Sequence, residues 1–90
     1  MATVELHVDN ELLDVFEGIR PKLNGLEVGR HPSPVEGVTV LDMDMADAPP
    51  HAKTMEVVVS VASGQPDVIE IHYWDERGIF IAPEVPFPRP

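Results

Sequence analysis

Cysteine is absent from this 90-residue chain, which excludes disulfide staples and thiolate zinc sites. Stability must therefore rest on packing, and a reducing cytoplasm is the expected setting. Basic side chains are almost as scarce: six Lys and Arg stand against 16 Asp and Glu, a formal charge of -10. A field of that sign repels nucleic acid and anionic membrane and attracts cationic protein surfaces. Neither direct nucleic-acid binding nor membrane association is expected. No stretch approaches the ~20 apolar residues of a membrane helix. The N-terminal segment carries Glu5, Asp9, Glu11, Asp14 and Glu17 before its first base, Arg20, the reverse of a secretory leader. A soluble protein is expected. A glycine-rich phosphate loop is also missing, because Gly25 and Gly29 lack companion glycines and a following helix. Ser33, Ser60 and Ser63 lie in no strained elbow, and Lys22 and Lys53 have no evident activating partner. The sequence predicts no enzyme, no catalytic residue and no cofactor.

What is present is enough for one core: hydrophobic residues make up 43% of the chain. Thr3 to Val8 alternates, with Val4, Leu6 and Val8 on one face, the period of a half-buried strand. Asp9 stands at a helix N-cap position, with Val8 and Leu13 placed as a hydrophobic staple. Leu12, Phe16, Ile19 and Leu23 follow at helical spacing, with Leu13 alongside, so a helix is expected from about Asn10 to Ile19. Pro21 ends or kinks it. Asn24-Gly25 reads either as the left-handed cap of a kinked helix or as the turn of a small hairpin.

From Gly25 to Pro34 the glycines and prolines predict a loop. Val35 to Met45 is extended, but Val38 and Val40 share a face with Asp42 and Asp44, opposite Leu41, Met43 and Met45. A bulge near Leu41 would resolve that conflict. Met55, Val57, Val59 and Val61 define the clearest strand, and Ser63 to Pro66 is turn chemistry. In the next strand Ile69, Ile71 and Tyr73 point inward, with Val68, Glu70, His72 and Trp74 outward. A turn at Asp75 to Gly78 leads into Ile79 to Ala82.

The order β-α-β-β-β-β defines an α+β class. One helix in the N-terminal half packs on a four- to five-stranded, mostly antiparallel sheet whose last four strands form a meander. The helical crossover suits parallel pairing of the first strand with the second or the fourth. Residues 1–82 form a single domain, and 83–90 an extended Pro-rich arm anchored by Val85 and Phe87 near Trp74 or on a neighbouring subunit.

Three clusters are candidate sites. Asp42, Asp44 and Asp47, with His51 beyond, form an acidic run in which Asp42 and Asp44 project from one strand face, ~6.7 Å apart. That spacing is comparable with successive phosphates. The run lacks the glycine and glutamate of a calcium loop, and as a solvated strand end it implies no metal. Glu5-x-His7 and Glu70-x-His72 repeat one arrangement on two outward faces, and would cluster if the two strands were neighbours. Trp74, the only tryptophan, falls on the polar face, where an exposed aromatic marks a contact point or covers the core edge.

A small acidic protein-binding module is the reading these features favour. It would occupy a partner's cationic surface, in one version as a nucleic-acid mimic that inhibits by filling a cationic groove. That is the strategy of phage anti-defence and toxin-immunity proteins, an analogy of style with no shared motif. Partner-binding residues would be Asp42, Asp44, Asp47, Glu70, His72, Trp74 and Phe87. One alternative is an accessory or assembly subunit that oligomerises through a strand edge and the C-terminal arm. Another is a metal-binding protein or enzyme that uses the His, Glu and Asp clusters.

Overall fold

The alternation from Thr3 to Val8 becomes β1 (Ala2–Asp9) in a computed structural model that describes residues 2–82. A 3-10 turn (Asn10–Leu12), α1 (Leu13–Ile19) and a second 3-10 turn (Arg20–Lys22) follow. Five more strands follow among the described residues: β2 (Gly25–Pro32), β3 (Val38–Met45), β4 (Thr54–Ala62), β5 (Gln65–Trp74) and β6 (Phe80–Ile81). They make one mixed six-stranded sheet in the order β2-β3-β1-β4-β5-β6, with α1 against one face. The class is α+β. The expected arm at 83–90, with Phe87, lies outside the described residues. No helix among the described residues is long and apolar enough to cross a membrane.

The sheet corrects several expectations. It has six strands, because Gly25–Pro32 pairs with β3 where a loop was expected. An edge strand tolerates its composition: Pro32 ends it, and Gly29 follows a bulge at Val28. β4, β5 and β6 form the meander, but β3 is not part of it, since β1 lies between β3 and β4. β1 runs antiparallel to β3 and parallel to β4, the third of the strands read from sequence. The crossover thus brings β1 into the centre, where strands on both sides bury it.

No bulge relieves Leu41. The β1–β3 register is unbroken, so Leu41, Met43 and Met45 face the core and Val40, Asp42 and Asp44 face away from it. Val40 is nonetheless 2% exposed, between its outer-face neighbours His7 and His31 in the cross-strand register. The bulge falls in β5 at Ile69 instead, skipped between the Val58–Glu70 and Val59–Val68 pairs. It turns Val68 into the core and leaves Ile69 exposed, which reverses the expected facing of those two residues.

The helix is shorter than expected. Asn10–Leu12 winds as a 3-10 turn, three residues per turn, which rotates Leu12 off the stripe to 51% exposure. Phe16, Ile19 and Leu23 stay buried and Leu13 is half-buried. Asp9 makes no side-chain cap. The Asn10 N–H donates to the Gly37 carbonyl at 2.9 Å, and its side-chain oxygen accepts from Thr39 Oγ1 at 2.5 Å. Ser63 and Gly64 both have positive φ, as a two-residue hairpin between Ala62 and Gln65 requires.

Gly25 sits opposite Met45, and a Cβ there would collide with Met45 Sδ and lie 2.6 Å from the Asp44 carbonyl oxygen. Gly25→Ala is therefore expected to destabilise by about 1–3 kcal/mol, since backbone cannot yield as a side chain can. Thermal unfolding of the variant measures this, and an unchanged melting temperature would contradict the close approach.

Candidate binding face

Alternation sends Glu5 and His7 of β1, Asp42 and Asp44 of β3, Glu56 of β4, and Glu70, His72 and Trp74 of β5 to the face that α1 leaves uncovered. Cross-strand partners share a face, so the register aligns one row: Gly29, Asp42, Glu5, Thr54, Trp74 and Phe80. With strands about 4.8 Å apart, Asp42 lies about 14 Å across the sheet from Trp74.

Two groups occupy this face. Around β1 and β3, the Glu5 carboxylate accepts from Lys53 Nζ at 2.9 Å and meets His7 Nε2 at 3.1 Å, while His31 Nε2 stands 3.5 Å from Asp42. The bonds from Lys53 and His7 hold the Glu5 carboxyl below the usual carboxylate range. Asp47 lies in the turn after β3, where the Asn24 amide donates to it at 3.0 Å. It is therefore off the strand face that carries Asp42 and Asp44.

The second group lies across β4, β5 and β6. His72 contacts Glu70 at 3.0 Å and Glu56 at 3.7 Å, so its ring bridges two carboxylates. Trp74 and Phe80 complete a trio with it: the three ring centroids are 5.8 to 6.0 Å apart, each pair edge-to-face. Edge-to-face packing suits the ring quadrupoles, and an aromatic face attracts a cation. Phe80 remains 54% exposed although its apolar area favours burial. The turn that delivers Phe80 is fixed by Asp75, whose side chain accepts from the Arg77 and Ile79 N–H groups at 2.9 and 3.0 Å. Those bonds, Ile79 foremost, hold its carboxyl low.

The two faces differ in charge. Arg20, Lys22 and Arg30 lie on the helix side, and Arg30 bridges Glu17 and Glu27 at 3.0 and 2.7 Å. The bulge at Val28 makes this possible, because it turns both Glu27 and Arg30 toward α1. Among the described Lys and Arg residues, Lys53 alone pairs with a carboxylate of the outer face. Carboxylates therefore dominate that face.

The structure brings Glu70, His72 and Trp74 together and adds Glu56 and Phe80, which the sequence reading had not singled out. Glu56 follows from the alternation of Met55, Val57, Val59 and Val61, which leaves it on the opposite face; Phe80 emerges only from the β5–β6 register. Glu5-His7 and Glu70-His72 do not sit side by side, because β4 separates their strands. Neither they nor the Asp42, Asp44, Asp47 and His51 run gather ligands: among the described residues no three His, Asp or Glu side chains are arranged to hold a metal ion.

Beneath this face Tyr73 is 1% exposed, and burial pushes its hydroxyl up to about 12. A phenol whose folded value lies above its unfolded value of ~10 contributes stability fully below pH 10. That contribution is lost as pH rises through the folded value. Lys53, held up by Glu5, titrates in the same direction, so the informative comparison is with Tyr73→Phe. Melting temperatures between about pH 9 and 12 should fall more steeply for wild type than for the variant. Parallel curves would contradict the buried phenol.

Compared with known protein families, curated proteins and solved structures, the chain matches none of them.

Proposed function

We propose that the protein is a small, non-catalytic binding module whose uncovered sheet face seats on a cationic surface of a partner protein. The observation that supports this most is the aromatic trio His72, Trp74 and Phe80 flanked by the Glu56 and Glu70 carboxylates. Rings that present π-faces beside carboxylates suit arginine, which stacks and forks at once. Asp42 and Asp44, about 14 Å away, extend the same acidic surface. Blocking a nucleic-acid-binding groove is one form this activity would take.

The test is affinity capture at low salt, followed by titration of the purified partner at rising ionic strength. The reading expects a basic partner and affinity that falls steeply with salt. A partner of acidic surface, or salt-independent binding, would overturn it. Asp42→Asn with Asp44→Asn should leave the melting temperature unchanged or slightly raised, because like-charge repulsion is relieved and the exposed His31–Asp42 pair contributes little. The same double variant should slow association with the partner, measured by stopped flow, while dissociation stays near wild type. An unchanged association rate would remove the aspartates from the contact.

One observation favours a second reading, an assembly subunit: the edge strand β2 exposes Leu26 and Val28. Sedimentation decides it, since a concentration-independent monomer excludes self-assembly through that edge. The bulge at Val28 argues against strand addition there.

A further inference from the structure

The β1–β4 ladder is short. It joins Glu5 to Thr54 and Leu6 to Met55, yet both strands continue, β1 to Asp9 and β4 to Ala62. Among the described residues no β1–β4 pair follows Leu6 and Met55, and a cleft of about 770 Å³ opens between the strands. Main-chain groups of alternate residues point to the same edge of a strand. In the parallel pattern that begins with the Glu5 N–H on the Lys53 carbonyl, Met55 faces β1. Val57, Val59 and Val61 therefore direct their N–H and C=O groups into the cleft. Their side chains line it as well, opposite Leu12 and Val15. Val61 is 63% exposed at its mouth. The lining's carboxylates are Asp9 and Glu56, and among the described residues it contains no Lys or Arg.

We infer that this cleft takes an extended segment of a partner chain, apolar at alternate positions and flanked by Lys or Arg, which pairs with the free edge of β4. Unpaired strand groups beside an apolar wall are the chemistry of strand addition: main-chain bonds supply affinity and side-chain pockets supply register. The acidic rim selects the basic flanks. The stretch from Val57 to Val61 spans about 13 Å at 3.3 Å per residue, which fits a bound strand of about five residues. Glu56 and Trp74 line the cleft as well as the outer-face site, so the two adjoin; Phe80 belongs to the outer face alone, and its variant tells the failure of one from the failure of the other.

The probe is a synthetic peptide, Lys-Val-Thr-Val-Thr-Val-Lys with blocked ends, mixed with the full chain and followed by amide hydrogen exchange. Slowed exchange at the Val57, Val59 and Val61 amides is expected. Backbone N-methylation of the peptide, or glutamates in place of its lysines, should abolish the protection. Val61→Lys places a like charge at the mouth and should weaken binding about tenfold or more without lowering the melting temperature. Phe80→Ala should leave this peptide's binding intact, whatever it does to a partner on the outer face. Four results would overturn the inference: no binding, binding without protection of those amides, equal binding of the N-methylated or glutamate peptide, or amides already protected in the free chain.

Discussion

Phe16→Ala is expected to destabilise the protein by about 3–5 kcal/mol, the cost of removing a buried phenylalanine ring. Phe16 is 4% exposed and packs in the core cluster on the sheet. α1 has seven residues, too few to persist on its own propensity, so it exists because Phe16 and Ile19 dock. Native domains of this length carry roughly 5–13 kcal/mol in total, by the per-residue scale. Removing the ring would consume a large part of that margin and lower the melting temperature by more than about 12 °C. Circular dichroism would show it directly. A variant melting within a few degrees of wild type would mean that the helix does not close the core.

The largest expected effect on binding is from Trp74→Ala. The indole makes edge-to-face contacts to both His72 and Phe80, and lies on the same row as Glu5 and Asp42. Truncating an anchor of this kind typically costs 2 kcal/mol or more, about a thirtyfold loss of affinity. Trp74 is half-buried, so part of any stability change reports lost packing. Phe80→Ala separates the two effects: Phe80 is the most exposed of the three rings and its loss should weaken binding with little change in melting. If both variants bind the purified basic partner as wild type does, the trio is not the contact.

Legibility in the sequence followed locality. Strict alternation disclosed β1, the facing of β4 and most of β5, and it placed Glu70, His72 and Trp74 on the outer face before any register was known. Features set by long-range pairing were hidden. β2 looks like loop because Gly25, Gly29 and Pro32 are breakers in an isolated segment, but an edge strand with a bulge accommodates them. The bulge at Ile69 exchanged it with Val68, and a period of two carries no mark of one extra residue. Insertion of β1 between β3 and β4 disposed of the imagined Glu5-His7 and Glu70-His72 cluster. It also created the cleft beside β4, since the cleft exists only where two sequence-distant strands diverge. Phe80 joined the site for the same reason, through a two-residue pairing with Tyr73 and Trp74.

Chemical-shift mapping of the isotope-labelled protein against an arginine-rich peptide tests the central claim most directly. The account predicts that the Trp74 indole, His72 and Phe80 resonances move first, followed by Glu56 and Glu70, and that salt reverses the shifts. Shifts centred on Glu11, Asp14 and Glu17 along the helix side, with the aromatic trio unmoved, would contradict it.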